Sequence, residues 1–315
     1  MDNKIIIGTR GSKLSSAYAE KVKKLILDTN TDINKEIVIQ SIKTSGDMIQ
    51  NKRISEIGGK NLFCKEIEDN LLRKKIDIAV HSLKDMDSLE TKGLIIKAYI
   101  KRNDPRESFV SKKLSKLPNL VNAKIGSSSR RRELQLKLFN KNINVEYIRG
   151  NVDTRIKKVE NGDFDGLILA IAGLKTLKLE NYIKEILSEK DFIPTAGQGV
   201  IAAQCRQNDD YIKKILEKIN HKDTEICATA ERNFLKVIGG DCDTAVGCLT
   251  TISKESLELR AQLFSDDGKK VFTVTKSGKL DNPILLGKIA GEEILKKSGN
   301  YFKKKNEYNI YTTFY

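Results

Sequence analysis

Tryptophan is absent from the 315 residues, and histidine occurs only twice, as His81 and His221. Two histidines so far apart in sequence leave little material for a Ser-His-Asp or Cys-His mechanism. The five cysteines (Cys64, Cys205, Cys227, Cys242 and Cys248) show no Cys-x-x-Cys spacing, and their number is odd. Neither a structural zinc site nor a disulfide framework is expected from them. No apolar run approaches the roughly 18–20 residues that a membrane-spanning helix needs. The start, Met1-Asp2-Asn3-Lys4-Ile5-Ile6-Ile7-Gly8, enters a strand-like segment without the apolar core of a signal peptide. A cytoplasmic protein with no membrane partner is expected.

Charge, by contrast, is plentiful. Lys+Arg number 57 against 42 Asp+Glu, a net charge of +15, with 39% hydrophobic and 31% charged residues. That balance belongs to a folded chain and excludes a largely disordered one; the length suits two or three domains. The lysines are spread over the whole chain, as on a solvated surface, and aromatics make up only 6%. Without interleaved aromatics or a recognised motif, nucleic acid is not expected as a partner. Arginine is distributed differently: Arg130, Arg131, Arg132, Arg149 and Arg155 fall in one short stretch. A guanidinium grips carboxylate or phosphate at two points, which an ammonium cannot do. The cluster therefore suggests geometric recognition of anions, with a solvated helix face as the alternative.

The first third alternates β-branched runs (5–9, 37–43, 76–80, 94–100) with helical spacing (14–27, 62–74). This βαβ rhythm implies an open, largely parallel sheet covered by helices. Polar residues and Pro105 break the pattern at 101–106, and a second α/β series follows with strands at 124–126, 145–149 and 167–170 and helices at 131–139 and 152–160. A second break at 192–199 precedes a strand-like 200–205 that could return to the first sheet. Two such crossovers make a hinge with a cleft between lobes. From about His221 a long helix (224–237), three alternating strands (246–252, 257–264, 271–276) and a last helix (283–297) form a smaller α+β domain.

Ligands of open α/β sheets bind beyond the carboxyl ends of the strands, where helix N-termini offer free N–H groups. Four such ends here carry unusual residues: Thr9-Arg10-Gly11-Ser12, His81-Ser82-Leu83-Lys84-Asp85, Gly126-Ser127-Ser128-Ser129-Arg130-Arg131-Arg132, and Arg149 through Arg155. Arginines in the first turn of a helix are disfavoured by about 0.3–1 kcal/mol each, a cost that a bound anion would reverse. They could equally point to solvent or to acidic neighbours. Asp85 could pair with Lys84 or Arg10, or could meet a cationic or N–H-bearing part of a ligand. Gly58-Gly59-Lys60-Asn61 lacks the remaining P-loop residues and reads as a basic flap; Gly197-Gln198-Gly199-Val200-Ile201-Ala202 follows no strand and is not a dinucleotide site.

Eight segments in order resemble the hydroxymethylbilane synthase (porphobilinogen deaminase) family. They are Gly8-Thr9-Arg10-Gly11-Ser12-Lys13-Leu14, Ile57-Gly58-Gly59-Lys60-Asn61-Leu62-Phe63, Asp77-Ile78-Ala79-Val80-His81-Ser82-Leu83-Lys84-Asp85, 126–132, 149–155, Leu169-Ala170-Ile171-Ala172-Gly173-Leu174, Ala196-Gly197-Gln198-Gly199, and Ala230-Glu231-Arg232 leading to Gly240-Asp241-Cys242. The likeness runs from about residue 4 into the third domain and weakens over the last sixty residues. It implies two lobes like those of type II periplasmic binding proteins, formed by 1–100 with 199–219 and by 105–193. A third α+β domain with a three-stranded sheet would occupy 220–315. It further implies a monomeric enzyme that joins four porphobilinogen molecules head to tail on a dipyrromethane cofactor, held by a thioether to Cys242, and hydrolyses the product to 1-hydroxymethylbilane.

By the same resemblance Asp85 is the catalytic carboxylate, and Lys84, Asp85, Ser128, Ser129, Arg131, Arg132 and Arg155 hold the cofactor. Arg10, Ser12, Arg149, Arg155, Lys60, Phe63 and Gln198 bind substrate, and no metal is implied. Phe63 would face the pyrroles, though its helical spacing fits a core position as well. Glu56, Thr176 and Ala245 depart from the family pattern, and Arg130 is an additional cation. Thr176 removes an expected arginine, for which Lys175 or Lys178 is the candidate substitute. A two-lobed protein that binds an anionic solute without catalysis is the alternative, and it leaves Cys242 without a role.

Overall fold

The protein is described from a computed structural model, which covers residues 3–48, 62–114, 116–117, 123–239 and 244–303. The chain begins with β1 (Lys4–Arg10), α1 (Lys13–Thr29), β2 (Glu36–Ile42), the short α2 (Ser45–Met48), α3 (Lys65–Leu72), β3 (Ile78–Ser82) and β4 (Leu94–Tyr99). A second series runs β5 (Glu107–Ser111), β6 (Lys124–Ser127), α4 (Arg130–Phe139), β7 (Asn144–Tyr147), α5 (Val152–Glu160), β8 (Gly166–Ala170), α6 (Ile171–Thr176) and β9 (Ile183–Ile186). Next come β10 (Ile201–Arg206) and α7 (Asp210–Glu217). The last part comprises α8 (Lys222–Ile238), β11 (Val246–Ser253), β12 (Ser256–Phe264), β13 (Val271–Lys279) and α9 (Pro283–Ser298).

These strands form sheets of order β2-β1-β3-β10-β4, β7-β6-β8-β5-β9 and β11-β12-β13. The two five-stranded sheets are built alike. In the first, β1 runs parallel to β2 and β3, while β10 is antiparallel to both β3 and β4. In the second, β6 runs parallel to β7 and β8, while β5 is antiparallel to β8 and β9. Each crossover thus delivers one reversed strand into a sheet, and the return of the chain to the first sheet is as the sequence suggests. The third sheet is antiparallel throughout.

Local sequence explains most elements. Ser12 caps α1 by accepting the Ser15 N–H at 3.2 Å, and Tyr18, Ala19, Val22 and Ile26 form the buried stripe that packs on Ile5 and Ile7 of β1. In the small domain α9 lies so close to α8 that a Cβ on Gly287 would stand 2.2 Å from the Ala230 carbonyl oxygen. No side chain fits there. Cys64, Cys205, Cys227 and Cys248 are buried thiols, as expected of small core residues. The sequence reading misses β5, β9, α6 and α7. All five residues of β5 are buried although they include Glu107 and two serines, so neither alternation nor an apolar run marks it.

One buried ion pair ties the three parts together. Arg102, in the first crossover, donates to Glu231 of α8 at 2.6 and 3.2 Å, and its Nε donates to the Gln198 carbonyl at 2.9 Å. The fully buried Glu231 also accepts the Gly197 N–H at 2.7 Å and the Thr250 N–H of β11 at 2.8 Å. Both crossovers and the third domain meet at this carboxylate. Removing one partner strands the other charge in a dry interior, which costs about 3–5 kcal/mol. Urea denaturation of Glu231→Ala should show a loss of about that size, and Arg102→Ala should show a similar one. In the double variant the losses should fall short of additivity, because both remove the same contact.

Candidate active site

The carboxyl ends of the parallel strands open on a cleft of about 840 Å³ between the lobes. Arg10 and Ser12 follow β1, while Lys84 and Asp85 sit on the single 3-10 turn after β3. Ser128 and Ser129 follow β6, and Arg149 follows β7 ahead of Arg155 on α5; all of these line the cleft. The four strand ends singled out in the sequence therefore meet at one place. Phe63, Arg131, Arg132 and Gln198 complete that set. Lys60, Glu56 and Cys242 lie outside the described residues. Thr244, two residues beyond Cys242, and Leu235 near the end of α8 line the same cleft.

The arginine-rich first turn of α4 resolves differently residue by residue. Arg130 points outward to Glu133 at 2.9 Å. Arg131 and Arg132 turn inward and share one carboxylate, Glu107 of β5, which is 0% exposed. Arg131 reaches it at 2.6 Å and also donates to Gln135 at 2.8 Å and to the Ile193 carbonyl at 3.0 Å. Arg132 Nε donates to Glu107 at 3.0 Å, and its Nη1 donates to the Ile168 carbonyl at 3.2 Å. The anion that offsets the helix dipole is thus partly the protein's own. Burial works to raise the Glu107 carboxyl, but the two arginines and Lys84 prevail and hold it down at about 2. Sequence reasoning misses Glu107 altogether.

One carboxylate does not neutralise this wall. Burial, then Arg132 and Arg149, bring the Arg155 guanidinium down to about 10. Arg155 donates its Nε to the Gly150 carbonyl at 2.7 Å and has no ion pair among the described residues. Lys84 is likewise held below its usual range, first by burial and then by Arg132; its Nζ donates to the Gln198 side chain at 3.4 Å. Cations that depress one another's pKa values form a site that gains from a guest anion.

Arg10 takes another partner. Its Nη2 pairs with Asp47 of α2, its Nε donates to the same carboxylate at 3.4 Å, and its guanidinium lies 4.1 Å over the Phe63 ring centre. Phe63 is thus a half-buried cleft residue rather than core. Ser12 and Ser129 serve first as N-caps of α1 and α4. Asp85 pairs with neither Lys84 nor Arg10: among the described residues its side chain makes no ion pair, although it faces the cleft. Lys175 does not replace a cation at position 176. It reaches Asp104 at 4.0 Å, and neither it nor the exposed Lys178 lines the cleft.

Residues 5–214 match the family model described as porphobilinogen deaminase, dipyromethane cofactor binding domain, and residues 225–296 match porphobilinogen deaminase, C-terminal domain. The chain belongs to the porphobilinogen deaminase family. It is 38% identical over 304 residues to the chloroplastic porphobilinogen deaminase of Oryza sativa subsp. japonica, covering 95% of this chain and 85% of that one. It is 36% identical over 297 residues to porphobilinogen deaminase of Nitrobacter hamburgensis, covering 94% of each. Among solved structures, the periplasmic VFT2 domain of Bordetella pertussis BvgS aligns at a TM-score of 0.42 with 13% identity, over 69% of this chain and 86% of that one.

Porphobilinogen deaminases hold a dipyrromethane cofactor, and the residues present fit such a group. Among the described residues Arg155 pairs with no carboxylate and the buried Nε of Arg131 has no acceptor, and both residues line the cleft. Guanidiniums so placed suit the carboxylates of a dipyrrole. No helix among the described residues is long and apolar enough to cross a membrane.

Glu107 sets the acid limit of this deaminase wall. Its carboxyl is depressed in the folded state, so its stabilisation is present above about pH 4.5 and is lost as the pH falls towards about 2. Glu107→Gln should lower stability at neutral pH by about 3–5 kcal/mol. Between about pH 4.5 and 2 its stability should fall less steeply than that of the wild type, as read by urea denaturation across that range.

Proposed function

We propose that this chain is a hydroxymethylbilane synthase, a transferase that joins four porphobilinogen molecules head to tail, releases ammonia at each joining and ends by hydrolysing the linear tetrapyrrole free. The observation that carries the reading is the meeting, in one cleft, of an arginine wall that Glu107 alone does not balance with Asp85, an acidic side chain in no ion pair among the described residues. The dipyrromethane, when bound, supplies the pyrrole terminus that primes chain growth. Cys242 is its proposed point of attachment, in keeping with the neighbouring Thr244 and Leu235 that line the cleft.

Each porphobilinogen brings an acetate and a propionate, so every added unit increases the negative charge in the cleft. Arg149, Arg155 and Arg10 receive those carboxylates. Arg131, Arg132 and Lys84 hold the priming unit together with the hydroxyls of Ser128 and Ser129. Gln198, which accepts from Lys84 and donates to the Pro105 carbonyl at 2.7 Å, keeps the lysine oriented. Ser12 offers its hydroxyl at the N-terminus of α1. Asp85 accepts the pyrrole N–H of the incoming unit and stabilises the positive charge that develops on its ring as ammonia departs. A carboxylate suits this role because it sits on a short turn, with no cation among the described residues paired to it. Phe63, whose ring lies under Arg10 in the cleft, then meets a pyrrole ring, and Lys60 is proposed as a further partner of its carboxylates.

We assign the work to three domains: 1–100 with 199–219 carries Asp85, 105–193 carries the arginine wall, and 220–315 carries Cys242. The three sheets support this division.

Intact mass spectrometry of the purified protein tests the reading, with tetrapyrrole formation from porphobilinogen measured alongside. A dipyrromethane adduct should be present on the wild type and absent from Cys242→Ser, which should make no product. Asp85→Asn should keep the adduct and lose at least about a thousandfold in turnover, the scale of removing a charge that acts on the transition state. An unmodified thiol with no tetrapyrrole formed would favour the anionic solute-binding alternative.

A further inference from the structure

Arg10 lines the cleft with its guanidinium already engaged. Asp47 takes it edge-on: one oxygen meets Nη2 and the other accepts from Nε at 3.4 Å, which fills the two-point edge that a guanidinium offers a carboxylate. A flat side of the same guanidinium lies over the Phe63 ring at 4.1 Å. Asp47 is itself held in place. The Thr44 hydroxyl donates to its Oδ2 at 2.7 Å, and the Asp47 N–H donates to the Thr44 carbonyl at 3.0 Å. The Gly46 N–H donates to the Leu62 carbonyl at 3.0 Å, and a Cβ on Gly46 would stand 2.2 Å from the Phe63 ring, so α2 closes tightly on the aromatic that flanks Arg10. Burial works to raise the Asp47 carboxyl, yet the bonds from Arg10 and Thr44 keep it below its usual range and hence ionised at neutral pH.

This pair differs in kind from the one inside the arginine wall. Glu107 is fully buried beneath Arg131 and Arg132. In the Arg10–Asp47 pair the side chains are 19% and 28% exposed, and Arg10, Gly46, Asp47 and Phe63 all line the cleft. A dry ion pair is costly to part, whereas one that water reaches holds weakly and can be exchanged for another anion. An incoming carboxylate that seeks the Nε–Nη2 edge of Arg10 finds Asp47 there, and two carboxylates cannot share that edge.

We propose that Asp47 is an affinity-setting residue: it stands in for a substrate carboxylate on Arg10 in the empty cleft and is exchanged for one when porphobilinogen binds. The inference rests on the synthase reading above, in which Arg10 receives a carboxylate of the substrate. Part of each binding event is then a swap of one anion for another, so the attraction of Arg10 for its guest is offset by the loss of its own partner. The competition concerns the grip on the substrate and not the reacting ring, so its effect belongs in KM.

Asp47→Asn keeps the shape and removes the charge that competes. In steady-state assays with porphobilinogen its KM should fall about threefold to fivefold, the scale of an ion pair that water reaches, with kcat within about twofold of the wild type. Thr44→Val changes no charge and only loosens Asp47, and it should lower KM by about twofold. Arg10→Gln should raise KM, and adding Asp47→Asn to it should bring no gain, because the exchange runs through that guanidinium. A gain that persists in the Arg10→Gln background would mean that Asp47 acts only through the general field of the cleft. A KM that rises in Asp47→Asn would mean that Asp47 orients Arg10 for the substrate, and a KM unaltered in both Asp47→Asn and Thr44→Val would mean that no exchange takes place. Each of these three results would overturn the inference while leaving the synthase reading in place. A wild-type protein that makes no tetrapyrrole would overturn both.

Discussion

Mutual repulsion among cations gathered around a single buried carboxylate is the condition that shapes this molecule. Arg131, Arg132 and Lys84 all act on Glu107, and the carboxylate cannot cancel them. Arg149 and Arg155 extend the positive field further into the cleft. In a solvated groove such charges would be screened within a Debye length; between two packed lobes they are not. The fold therefore holds an arrangement that is tense when empty and eased by a polyanion. What keeps it from relaxing by separation is the Arg102–Glu231 pair, which pins both crossovers to the third domain.

The symmetry of the two lobes explains how the charges come to face one another. In each sheet the parallel strands point their carboxyl ends at the cleft, and each is flanked by one reversed strand supplied by a crossover. Helix N-termini follow from that polarity, so α1, α4 and α5 all present their first turns to the same space. Asp85 comes from one lobe and most of the arginines from the other. Relative placement of the lobes is consequently part of the site.

Much of this was legible in the residues. The βαβ rhythm, the returning strand and the small α+β domain follow from periodicity and breakers, and the four unusual strand ends do converge. The parts that escaped share one cause: their meaning depends on a partner far away in sequence. Glu107 lies in a strand that mixes a carboxylate and two serines with two apolar residues, and its burial makes sense only once Arg131 and Arg132 are folded onto it. Asp47 lies 37 positions from Arg10, with nothing local to mark the pairing. Edge strand β9 and the short α6 are simply too brief for a periodic signal.

The place of β10 in its sheet has a consequence for how the chain is made. This strand lies between β3 and β4, yet β4 ends at Tyr99 and β10 begins only at Ile201. As the polypeptide leaves the ribosome, the first lobe must wait with a vacant inner slot while the whole of the second is synthesised. Two unpaired strand edges stay exposed during that interval, and closing them requires contacts spanning about a hundred residues, a slow kind of step. The N-terminal lobe is therefore finished after its neighbour, and it is the nascent stage most in need of protection by chaperones.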